Sequence, residues 1–247
     1  MSAVARWDRD GFARVAEFVT VDELSDVARR LRAIFARAES FGPTRVHRSR
    51  DLNGSLTSIE VLDTIDADPQ LRSSVLYEAC YEAARELLGV APVVFFDHSI
   101  HKPSQLGSGT AWHQDIIYDR YERQRDRVHF WIPMTDVGLD GGCMEFLPGS
   151  HRQGLLPHAY APGDPSGHTQ VARDPSQPTV AVPLNAGDVT MHHQATLHRT
   201  GPNRSGSART AWILQFARPR TVPERFAENR RRATRLGKRL TGRPGWL

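Results

Sequence analysis

The sequence predicts a mainly β protein with flanking helices, an α+β chain whose strands form a sandwich or barrel. Two observations predict it. After Pro92, short β-prone runs follow one another between Gly, Pro and Asp turns; before it, two segments carry apolar residues at spacings of three and four. With 247 residues, of which 39% are hydrophobic and 24% charged, the chain has the size and composition of one soluble domain with a substantial core.

The stretch from Asp22 to Phe35 repeats apolar residues at three and four, with Thr20 as a cap, and predicts an amphipathic helix over 21–38. A second such pattern runs from Leu71 to Leu88 and stops at Gly89, the residue type that most readily ends a helix. Residues 40–70 are rich in Gly, Asn, Asp and Ser and show no period. Beyond Pro92, the runs Val93–Phe96, Val128–Ile132, Cys143–Leu147, Thr179–Leu184, Val189–His192 and Ala211–Phe216 predict antiparallel strands. Residues 152–178 form a turn-rich insertion of a length that usually signals function or disorder. The chain is thus read as a single domain over 1–247: a helical support region at 1–91, a β core at 92–217 carrying the insertion, and a basic tail at 218–247. It contains no internal repeat.

The net charge of +4 is unevenly spread. Residues 218–247 hold ten Lys/Arg against two acids, which leaves 22 basic and 26 acidic side chains, a net −4, on the rest. The positive charge is a feature of the tail, read as solvated, and no nucleic-acid motif accompanies it. No apolar run approaches the roughly 20 residues of a membrane span, and the N-terminal segment has no apolar core of a signal peptide. Two cysteines, Cys80 and Cys143, make neither a disulfide framework nor a thiolate metal site. A cytoplasmic location follows as an expectation, with no membrane or nucleic-acid partner. Nothing in the pattern specifies an oligomeric state.

The chemistry is concentrated in two segments. Trp112-His-Gln-Asp115 sets His113 and Asp115 two apart, which on a strand turns both side chains to one face and toward one ion. Two imidazoles and a carboxylate on one face of an octahedral iron leave positions for a cosubstrate and dioxygen, although catalytic zinc sites use the same ligand types. The segment from Gly187 to Arg209 offers the third ligand, His198, and eleven residues later an Arg that opens an apolar strand. A dicarboxylate chelated to a metal at one end needs a cation at the other, and the planar guanidinium of Arg209 suits that task. His193 is an alternative third ligand; the spacing to Arg209 favours His198. His98, His101 and His129 alternate with apolar residues on strands and read as satisfied interior or surface histidines. Gly141-Gly142 reads as a tight turn, not a phosphate cradle.

The string WHQD, then WIPM-D, GGCMEFLPGSH, GDV and H-R-T-G-P-N-R-S before the Arg, resembles the phytanoyl-CoA dioxygenase family of iron(II)/2-oxoglutarate oxygenases, in order from about Phe95 to Phe216. The resemblance implies a double-stranded β-helix (jelly-roll, cupin-like) core, with Fe(II), 2-oxoglutarate and O2 as cofactor and cosubstrates. It implies His113, Asp115 and His198 as ligands and Arg209 as the partner of the far carboxylate. Thr200 adds a hydroxyl there, Trp131 lines the pocket, and Lys102 lies near the cosubstrate or substrate. Gln114 faces the pocket in such proteins. His192 departs from the family pattern, which has an aromatic or aliphatic residue there, and is placed where it can reach substrate. Halogenases of this type carry a small residue where Asp115 stands, so hydroxylation is the expected outcome; epimerisation, desaturation and cyclisation use the same ligands.

The substrate is expected to be a small molecule, in bacterial specialised metabolism, met by loops over the barrel mouth. Arg45 and His47 in one of these loops are candidate contacts for a polar or anionic group. Two alternatives remain at this stage: a cupin-like metal-dependent hydrolase or isomerase, which needs no Arg clamp, and a binding module without catalysis.

Overall fold

The structure, a computed structural model, describes residues 2–51, 53–118, 126–160, 169–171 and 174–220. The basic tail, from 221 on, and part of the 152–178 insertion lie outside the described residues. In chain order the elements are α1 (Ala3–Asp10), β1 (Phe12–Val15), α2 (Val21–Ala36), β2 (Val46–Arg50), β3 (Leu56–Leu62), α3 (Thr64–Ala67), α4 (Val75–Leu88), β4 (Val93–Lys102) and β5 (Thr110–His113). There follow β6 (Arg127–Pro133), β7 (Met144–Phe146), β8 (His158–Tyr160), β9 (Thr169–Val171), β10 (Val180–Val182), β11 (Val189–His193), β12 (His198–Thr200) and β13 (Arg209–Ala217).

Among the described residues, antiparallel pairing builds a seven-stranded major sheet in the order β1-β11-β6-β13-β4-β3-β2. A four-stranded minor sheet, β10-β7-β12-β5, lies opposite, and β8-β9 pair as a separate hairpin. Side-chain alternation then sorts residues to two faces. From β6 and β13, the outer face takes Val128, Phe130, Ile132, Trp212, Leu214 and Phe216, in one core with the helices. The inner face takes Trp131, Ala211 and Ile213, packed against Met144, Phe146 and Val182 of the minor sheet. Both faces are covered, which is why these runs read as continuously apolar in sequence. This is the jelly-roll core implied by the resemblance.

Helix α2 forms because its apolar spacing buries Leu24, Val27, Ala28, Leu31 and Ile34 on one side, and because Thr20 and Glu23 close a reciprocal capping box. The second expected helix is split. Pro69–Ser73 is a 3-10 turn, Ser74 caps the helix proper by accepting from the Tyr77 amide, and Gly89 ends it at φ 66°. Residues 1–91 also hold strands that the sequence pattern did not announce. β1 is only four residues long, and β2 and β3 form a hairpin that adds two strands to the major sheet. The register places Ser49, His47, Ser58 and Glu60 of that hairpin on the inner face, where polar residues hide the alternation by which half-buried strands are recognised. No helix of the described residues is long and apolar enough to cross a membrane.

Gly11 ties the N-terminal strand to the site. Its carbonyl accepts from the His193 amide at 2.8 Å and the Thr196 hydroxyl at 2.7 Å, and its φ of 83° is left-handed. A Cβ there would lie 2.6 Å from Thr196 Oγ1. Gly11→Ala is therefore expected to lower stability by about 2 kcal/mol or more, measured as a fall in the urea midpoint at unchanged slope.

Candidate metal centre and anion cradle

The inner face carries two polar clusters. The first is made where the minor sheet meets the 3-10 turn after β5. His113 ends β5 and pairs in register with His198, which opens β12; their ring centroids are 4.2 Å apart. Asp115 is not on the strand, as the two-residue spacing had suggested, but starts the 3-10 turn Asp115–Tyr118. That turn brings its Oδ1 to 3.4 Å from His113 Nε2 and its Oδ2 to 3.7 Å from His198 Nε2. The three ligand atoms lie within 4.8 Å of one another.

Each imidazole of this trio is oriented by its own backbone. His113 Nδ1 donates to the Ala111 carbonyl at 2.8 Å, and His198 Nδ1 to the Thr196 carbonyl at 2.9 Å. A proton fixed on Nδ1 leaves the Nε2 lone pair facing inward, the tautomer that binds a cation. The electrostatics agree. Burial alone would push the Asp115 carboxyl up, but His198, His129 and His113 hold it well below the usual carboxylate range. Burial and the charge of His113 push His198 well down. Burial also pulls at His113, but the hydrogen bond and charge of Asp115 outweigh it and raise this imidazole. A part-buried carboxylate among imidazoles fits a divalent cation by its donor chemistry alone.

The second cluster lies further along the same strand. Thr200, two residues beyond His198 on β12, is roughly 6.6 Å away along the strand and on the same face, a span suited to a five-carbon diacid. Arg209 and Lys102 pair in register across β13 and β4. Lys102 Nζ donates to the Ser108 carbonyl at 2.6 Å and to Thr200 Oγ1 at 3.2 Å. Arg209 is 4% exposed; its Nη1 donates to the carbonyls of Gly141 and Gly142, and its Cζ sits 5.4 Å from the Trp131 ring centroid. The Arg209 Nε is buried and has no partner among the described residues. Burial pushes this guanidinium down to about 10, so it stays charged at neutral pH, as guanidinium does. Burial and the Arg209 charge push Lys102 well down as well. A buried cation with an unpaired donor is a cradle for an anion. The Gly141-Gly142 turn thus serves Arg209: Gly142 has φ 73°, and a Cβ there would strike the Gly201 carbonyl.

Other candidates fall elsewhere. The Gln114 amide donates to the carbonyls of Gly154 at 2.9 Å and Ala195 at 2.7 Å, and its Oε1 accepts from the Leu156 amide. Facing main-chain groups rather than the pocket, it ties the insertion to the turn before β12. Arg45 lies with Asp66 and Phe41, apart from both clusters. His47 reaches the inner face only at its far edge, 3.7 Å from Glu60, which also contacts His98. His193 turns away, toward the rings of Trp7 and His151. His192 lies 3.3 Å from Asp115 Oδ2. His129, read from sequence as a satisfied histidine, lies 2.6 Å from the same oxygen. One signal was available: His129 is two residues before Trp131 on one strand, so it had to share the inner face.

A family model, phytanoyl-CoA dioxygenase, matches residues 7–211. The chain belongs to that family. The mouse phytanoyl-CoA dioxygenase domain-containing protein 1 is 30% identical over 155 residues, 60% of this chain and 53% of that one. The chain spans between 37% and 58% of the length of the first curated relatives it matches. Among solved structures, EvdO2 from Micromonospora carbonacea var. aurantiaca complexed with 2-oxoglutarate superposes with a TM-score of 0.74 at 23% identity, covering 88% of this chain and 90% of that one. The non-haem α-ketoglutarate-dependent epimerase SnoN from nogalamycin biosynthesis gives 0.70 at 24%, covering 87% and 81%. These likenesses are of fold.

Because an ion must replace the proton that Asp115 stabilises on His113, divalent metal binding is expected to release protons. The release should be larger at about pH 6 than at about pH 8, and affinity should rise with pH through the His113 titration. Calorimetric titration with Mn(II) in buffers of different ionisation enthalpy measures both.

Proposed function

We propose that this protein is an iron(II)- and 2-oxoglutarate-dependent oxygenase that hydroxylates an unactivated C–H bond of a small molecule. The observation that carries the reading is the pairing, between the inner faces of the two sheets, of a largely buried His-Asp-His trio with a buried guanidinium that keeps an unpartnered Nε, while Thr200 lies two residues beyond His198 on β12. A metal-dependent hydrolase has no use for the second cluster.

On this reading His113, Asp115 and His198 hold the iron, with both Nε2 atoms turned inward by their backbone hydrogen bonds. Bound iron supplies the centre at which the 2-keto acid is oxidatively decarboxylated and dioxygen activated. Arg209 binds the far carboxylate of 2-oxoglutarate, held in place by the Gly141 and Gly142 carbonyls. Thr200 adds its hydroxyl, which Lys102 orients. Trp131 covers the guanidinium and keeps water from it. The carboxylate of Asp115 occupies the position that halogenating relatives leave for an anion, which supports hydroxylation. His47, Glu60 and His98 form a polar strip at the edge of the inner face and suit a polar substrate group. A setting in specialised metabolism is supported by the biosynthetic origin of the epimerase it resembles in fold.

Purified protein given Fe(II), 2-oxoglutarate and air is expected to form succinate in step with oxygen uptake. With its substrate, it is expected to yield a product one oxygen heavier by mass spectrometry. A product two hydrogens lighter would mean desaturation or ring closure, and an isobaric one epimerisation. Absence of succinate under all conditions would reject the reading. Arg209→Lys keeps the charge but loses the fork, and should weaken 2-oxoglutarate binding about 10- to 100-fold, read anaerobically by fluorescence or calorimetric titration.

A further inference from the structure

Asp115 faces two pairs of imidazoles, one from each sheet. His113 and His198 belong to the minor sheet and approach as described. His129 on β6 and His192 on β11 belong to the major sheet, are register partners, and are 1% and 2% exposed. Their rings are 5.2 Å apart, and both approach Oδ2: His129 Nδ1 to 2.6 Å and His192 Nε2 to 3.3 Å. Oδ1 is left to His113.

Two roles are open to such a pair, and distances separate them. The set Asp115, His129 and His192 has the residue types of a second cation site. Two donors each about 2.1 Å from one ion stand roughly 3 Å apart at a right angle, wider than the 2.6 Å between His129 Nδ1 and Oδ2. That separation is a close contact between imidazole and carboxylate, and the aligned hydrogen bond to Oδ2 is the one from His192 Nε2. Hydrogen positions follow from the surroundings. Both nitrogens of His129 and Nδ1 of His192 are buried and have no aligned hydrogen-bond partner among the described residues. A bare buried acceptor is tolerated better than a bare buried N–H, so the His192 proton belongs on Nε2; that of His129 belongs on Nδ1, where it lies against the negative carboxylate.

We propose that His129 and His192 are positioning residues: together they clamp Oδ2 of Asp115 and so turn Oδ1 alone to the metal. The clamp makes the carboxylate a one-oxygen ligand and holds it against rotation before the ion arrives. It rests on the assignment of Asp115 as a ligand, and goes beyond it in naming what orients that ligand.

The test is Mn(II) binding to the full chain without 2-oxoglutarate or substrate, followed by calorimetry and electron paramagnetic resonance, with far-UV circular dichroism to verify folding. His129→Phe is expected to weaken Mn(II) about 10- to 100-fold. His129→Asn, which restores an N–H at the Nδ1 position, should recover most of the loss. His192→Phe and His192→Gln should form a second such pair with a smaller effect. Stoichiometry should stay at one ion per chain throughout. A rescue by Asn and Gln, but not by Phe, is a result that loss of packing cannot give. If Asp115→Ala abolishes binding while His129→Phe and His192→Phe leave it unchanged, the clamp is overturned and the ligand assignment stands. Unchanged binding in all three overturns both. Two ions bound to the wild-type chain, falling to one in the histidine variants, overturns the clamp in favour of a second cation site.

Discussion

The structure depends on one part-buried carboxylate. Asp115 is held among four imidazoles that come from both sheets, in a place where burial by itself would drive a proton onto it. A charge buried in this way is costly unless it is surrounded by donors or a cation. The surrounding strands can thus be understood as the means of delivering those donors: β5 and β12 from one side, β6 and β11 from the other. Such a cluster also makes the two sheets mutually dependent, since neither holds more than half of the groups that compensate the charge.

The two faces of the major sheet divide the labour. The outer face is apolar and is closed by α2 and α4, so the hydrophobic effect stabilises the sheet without reference to the site. The inner face is freed to carry His129, His192, Lys102 and Arg209, each matched by a hydrogen bond, a neighbouring ring or a developing ligand site. Rigid strands then fix the spacing between His198 and Thr200, because positions two apart on β12 face the same way and cannot drift. Precision of that kind is hard to build on loops.

Legibility from sequence followed the same division. The capped helix over 21–38 was readable from its regular apolar period, and β4, β6, β7, β10, β11 and β13 from short apolar runs between turns. The β2-β3 hairpin was not, since one face of it carries Ser49, His47, Ser58 and Glu60 and so breaks the alternation. His113, Asp115, His198 and Arg209 were singled out by spacing and by family resemblance; the structure gathers the first three into one trio and sets Arg209 on the inner face of the opposite sheet. Gln114 and Arg45 were singled out too, but lie against main chain and against Asp66. His129 was passed over because a single histidine between apolar residues carries no mark of what lies across the sheet.

The amino-acid sequence alone determined the class of fold, the family pattern and the chemical types in the site, since these depend on local periodicity and on motifs a few residues long. Only the tertiary structure decided which nitrogen of each imidazole turns inward, that His129 and His192 converge on Asp115 Oδ2, and that Arg209 keeps an unpaired Nε. Those facts arise from strands far apart in the chain being set side by side by register. Register is fixed by packing across the whole sheet, and no short stretch of sequence records it.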